Sequence, residues 1–141
     1  MSNLETPWDF GNPRCGDNQL LFTNVREFAM GSPLAGNGII IINGKRYSVN
    51  HSCGGPAVWS TSGEFVALPI WTKSFFKGMH QLLGIIDTKS VQMIIFAKPF
   101  RVLQLQSFSN NIICGIDSPA YKPKDISFDI SKEKIKTSYF L

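Results

Sequence analysis

The stretch GIIIINGKRYSV, residues 38–49, leaves the chain few ways to fold. Ile39–Ile42 is a β-branched run, Lys45–Val49 alternates, and Asn43-Gly44 stands between them. Both central residues of a type I′ turn need positive φ, which Asn and Gly adopt at little cost, so the segment reads as a hairpin. On its second strand, Arg46 and Ser48 fall on one face and Lys45, Tyr47 and Val49 on the other.

The rest of the chain keeps this period of two. Val58–Ser60 and Glu64–Trp71 flank Thr61-Ser62-Gly63, a three-residue turn ending in glycine. Leu82–Asp87 and Val91–Phe96 flank Thr88-Lys89-Ser90, and Arg101–Phe108 and Ile112–Asp117 flank Ser109-Asn110-Asn111. Asp125–Ile130 and Lys134–Phe140 read as a last hairpin. Pro69 cannot donate to a ladder, which places its part of the strand on an edge or at a bulge. Only Asn18–Met30 fits a short helix as well as a strand. The order of apolar runs, loops and Asp-marked turns in residues 65–95 recurs faintly after residue 112, in the rhythm of propeller blades. The expectation is an all-β fold of antiparallel hairpins in a sandwich, barrel or propeller-blade-like arrangement, with at most one short helix. Residues 1–141 form a single domain, with 1–18 an irregular N-terminal segment whose Trp8 and Phe10 pack on the sheet.

Composition narrows the class. Hydrophobic residues at 43% and charged residues at 17% exclude global disorder. No apolar run reaches the roughly 18–20 residues of a membrane helix. The N-terminus lacks the basic and apolar regions of a secretory signal. A cytoplasmic protein with no membrane association is expected. Cys15, Cys53 and Cys114 are widely spaced and odd in number, which suits free thiols. The net charge of +4 is uneven: residues 1–40 sum to −2 and residues 41–141 to +6.

No catalytic motif is present. His51 and His80 have no metal-ligand partners at local spacing, and there is no P-loop, GxSxG or HExxH. Asp87, Asp117 and Asp129 fall at strand ends, where carboxylates commonly bond turn amides. Neither an enzyme nor a cofactor is expected. Surface that binds remains. Trp71, Lys73, Phe75, Phe76, Lys77, Met79 and His80 crowd aromatic and basic groups onto what reads as a ten-residue connection. Interface hot spots favour large aromatic anchors ringed by polar groups. The alternative is that Phe75 and Phe76 fold back into the core. Tyr121, Lys122 and Lys124 form a second, proline-stiffened basic loop. With Lys132, Lys134 and Lys136 they could serve a small nucleic-acid- or protein-binding β module, but no RNP-like motif accompanies them and direct nucleic-acid binding is not the expected mode.

The stretches CGGPAVWSTSGEFVALPIW (53–71), LLGIIDTKSVQMIIF (82–96) and FRVLQLQSFSNNIICGIDSP (100–119) resemble, in style, the bacterial immunity proteins of contact-dependent growth inhibition and related polymorphic toxin systems. The resemblance implies a one-to-one complex with a cognate toxin domain, usually a nuclease, whose active site is blocked. Nuclease toxins tend to be basic. A basic inhibitor would therefore present its acidic N-terminal third, or meet an acidic face on the toxin.

Overall fold

A computed structural model describes residues 10, 13–27, 34–76 and 78–141. They form twelve strands and no helix: β1 (Arg14–Cys15), β2 (Asn18–Glu27), β3 (Leu34–Ile42), β4 (Lys45–Cys53), β5 (Val58–Trp59), β6 (Phe65–Ser74), β7 (Gly78–Asp87), β8 (Gln92–Phe100), β9 (Leu103–Ser109), β10 (Ile112–Asp117), β11 (Lys124–Asp129) and β12 (Ile135–Phe140). All pairings are antiparallel. The large sheet runs β1-β2-β3-β4-β6-β7-β8-β12, with β5 also paired to β6, and a small sheet runs β11-β10-β9. The chain is all-β, in two unclosed sheets arranged like a sandwich.

The turns follow their chemistry. Asn43 and Gly44 have φ of 51° and 81°, both positive as a type I′ turn requires. The β7–β8 turn is held by Asp87, whose Oδ1 accepts the Lys89 amide at 3.0 Å. Pro69 sits inside β6 opposite Leu83 of β7. In an antiparallel strand the N–H and C=O of one residue point to the same edge. The Pro69 carbonyl accepts the Gly54 amide at 2.9 Å, so its missing N–H faces away from β7, where β5 gives way to β4. The ladder to β7 loses nothing.

Two cores share the central strands. Val66, Leu68, Ile70, Leu82 and Ile86 face a cluster completed by Leu20, Ile40, Val49 and Met93. Ala67, Leu83, Ile85 and Phe96 face a second cluster, completed by Leu105, Phe108, Ile113 and Phe128 of the small sheet. Burial of both faces explains the near-continuous apolar runs of β6 and β7. Leu20 and Ile40 meet Met93 only if the large sheet curls. It does: the Tyr139 hydroxyl of β12 is hydrogen-bonded to His51 Nδ1 of β4 at 2.8 Å, although three strands separate β4 from β12 in the sheet.

Three expectations are corrected. The segment that fitted a helix is strand β2 as far as Glu27, with residues 28–30 outside the described residues. Pairing with β3 through Gln19↔Ile41 and Leu20↔Ile40 decided between two states that the pattern allowed equally. The connection after Trp71 is not a loop but the end of a hairpin, with Trp71↔Gln81 through Ser74↔Gly78 in register. The last hairpin does not form. β11 pairs with β10, while β12 pairs with β8. A turn anchored by Asp129, whose carbonyl accepts the Lys132 and Glu133 amides, redirects the chain. Phe128 is buried in one core and Tyr139 packs against the other, so the two strands serve different faces. The small sheet is thus an excursion between two neighbours of the large sheet, and the second propeller-like unit of the sequence is divided between sheets.

Candidate functional site

Among the described residues, strands β6 and β7 outrun the strands paired with them. β8 leaves β7 at Gln81↔Phe100, and β4 pairs with β6 at Cys53↔Ile70. Beyond Trp71 and Gln81 the hairpin continues for three more residue pairs as a two-stranded ribbon, a reach of about 10 Å at 3.3 Å per residue. An isolated two-stranded ribbon is marginal. This one is rooted in strands buried on both faces, which holds its direction.

The tip carries the aromatic pair. Phe75 and Phe76 are 94% and 92% exposed, with their rings in edge-to-face contact at 5.0 Å. They do not fold back into the core. Lys73 and Met79 face each other across the ribbon on one side, both exposed. His80 pairs with Thr72, and its Nδ1–H donates to the Gly78 carbonyl at 3.0 Å. Gly78, at φ +64°, makes the tight return that a side chain would strain. Lys77 lies outside the described residues. Trp71 belongs elsewhere: it is 6% exposed, and its indole N–H donates to the Leu34 carbonyl at 3.2 Å. It roots the ribbon and is not part of its surface.

The second candidate loop rises at the same end. Gln81 Oε1 accepts the Leu103 amide at 2.5 Å, which ties β7 to the start of β9. Leu103 pairs with Asp117, and Asp117 with Lys124. Tyr121 is 59% exposed in the loop between β10 and β11, beside Lys122, and Lys124 opens β11. The sequence suggested the two surfaces separately. That they share one end follows from the β7–β8 register and the Gln81 bond, neither of which has a local signal.

Several groups with possible chemistry are engaged in structure. Asp117 Oδ1 accepts the Arg101 and Val102 amides at 3.0 and 3.2 Å. Asp129 Oδ1 accepts the Ser131 hydroxyl at 2.6 Å and its amide at 2.9 Å, and these bonds hold its carboxyl below the ordinary range. The Cys53 thiol is buried, and burial pushes it up to about 12, so it is no nucleophile at neutral pH. His51 is held below its ordinary value by burial first and by the charge of Lys136 second. Among the described residues no three His, Cys, Asp or Glu side chains converge as metal ligands would, and no helix is long and apolar enough to cross a membrane. Compared with known protein families, curated proteins and solved structures, the chain matches none.

Proposed function

We propose that this protein is a non-catalytic inhibitor of the toxin-neutralising immunity type, which binds a cognate toxin domain one to one and plugs a concave site on it with the β6–β7 ribbon. One observation carries the reading. Two almost fully exposed phenylalanines stand at the end of a projecting, rigidly rooted hairpin. Exposed aromatic pairs cost solubility, and a convex apolar tip complements a cavity rather than a flat face. A ribbon of fixed direction loses little entropy on docking. Lys73 beside the tip suits an acidic rim, which matches a basic inhibitor to an acidic face on its partner.

The test is co-expression with the tagged polypeptide encoded immediately upstream. The expected result is a stoichiometric complex in which toxicity is lost. Phe75→Ser with Phe76→Ser should abolish the complex and shift the Tm by no more than about 2 °C, because neither ring is buried. A complex that survives the double substitution, or the absence of any complex, overturns the proposal.

A further inference from the structure

A second surface does not use the phenylalanine tip. Arg101 stands at the corner between β8 and β9, and Tyr121 and Lys122 in the loop between β10 and β11. Asp117 locks corner and loop together through the Arg101 and Val102 amides. The Arg101 guanidinium carbon lies 5.9 Å and Lys122 Nζ 5.4 Å from the centre of the Tyr121 ring. Beside them runs a groove of about 240 Å³ with Lys98 and Lys124 on its walls and Phe100 in its lining. Among the described residues the ion pairs are Lys89–Glu64 and Lys132–Asp129. The four cations of this surface are therefore not neutralised by ion pairs. Asp117, bonded to backbone amides, and Asp125 are the two carboxylates that line the groove, and the four cations of the surface outnumber them.

We infer that this surface binds single-stranded nucleic acid, with phosphates along Lys98, Arg101, Lys122 and Lys124 and an unpaired base stacked on Tyr121. Un-neutralised cations around an exposed ring supply the two terms by which single strands are held: counterion release and stacking. A paired base keeps its faces within the duplex and cannot use the ring. An acidic peptide would use the cations and gain nothing from the ring face. Lys132 does not join this surface, since its amine is turned to Asp129 at 4.0 Å. Lys98 and Arg101 do join it, from a segment that is distant in sequence.

The measurement is the fluorescence anisotropy of a labelled oligothymidylate of about 12 nucleotides, titrated with the full chain. Between about 50 and 200 mM NaCl the logarithm of the affinity should fall against that of the salt with a slope near −3, as expected for four phosphate contacts. Tyr121→Ala should weaken binding about five-fold or more with an unchanged Tm, because the ring is exposed. Lys124→Glu should flatten the salt slope. The same sequence as a duplex, and polyglutamate, should compete poorly. The proposal is overturned by an absence of binding, by a Tyr121→Ala variant that binds like the parent, or by polyglutamate competing equally, which would make the surface a dock for acidic protein segments. Phe75→Ser with Phe76→Ser should keep the oligonucleotide affinity. Its loss there would move the site to the hairpin tip and equally overturn the assignment, whereas failure of the toxin complex leaves it standing.

Discussion

His51 and Tyr139 show how one contact can make the molecule sensitive to acid. The two rings stack at 5.7 Å between centroids, and hydroxyl and Nδ1 are hydrogen-bonded. Burial and Lys136 lower the imidazole's proton affinity in the folded state. The folded chain therefore prefers neutral His51, while the unfolded chain titrates near ~6.5. The resulting stabilisation is complete above that value and is lost as pH falls through the lower, folded one. Thermal unfolding followed between about pH 7 and 5 should show a declining Tm, and His51→Gln should flatten the decline. An unchanged slope in the variant would assign the decline to other groups. The contact was not legible in the sequence, where residues 51 and 139 have nothing to connect them. The solvent face of β4, by contrast, could be read residue by residue from its alternation.

Among the elements, hairpins with a local code were legible and those without were not. Asn43-Gly44, Thr61-Ser62-Gly63 and the Asp87 turn each carry residues whose backbone preference specifies the return, and strands pair around all three. The step from β11 to β12 carries a similar polar cluster, yet the chain changes sheet there. Which free edge β12 joins is decided by β8, some forty residues earlier in the chain. The ribbon lacks a local code for a related reason. Gly78 and two phenylalanines look like a loop, and only a ten-pair register carries the strands as far as Ser74 and Gly78, leaving the phenylalanines in the turn. The central strands leave no slack. A methyl at Gly84 of β7 would lie 2.7 Å from the Met93 Cε and 2.8 Å from the Ile70 Cγ1. Gly84→Ala should cost about 1–3 kcal/mol through overpacking, read as a lower urea midpoint at constant m-value. A neutral substitution would show that Met93 swings aside without cost.

For the whole molecule, the sharing of β6, β7 and β8 by both cores decides how it comes apart. The small sheet buries Phe108, Ile113 and Phe128 against those strands, and Gln81 of β7 bonds the first amide of β9. Neither layer keeps its apolar face covered alone. Thermal or urea unfolding should therefore be a single transition, with near- and far-ultraviolet circular dichroism coincident. An earlier loss of one signal would mean that the small sheet melts independently. The placing of that sheet as an excursion between β8 and β12 also bears on synthesis. As the chain leaves the ribosome, β8 is finished well before its partner at residues 135–140 exists. During that interval Gln92–Phe100 presents an unpaired backbone edge of mainly apolar residues, open to any strand nearby. Slow translation across residues 101–134 would lengthen that exposure, and a chaperone that covers β8 would shorten it.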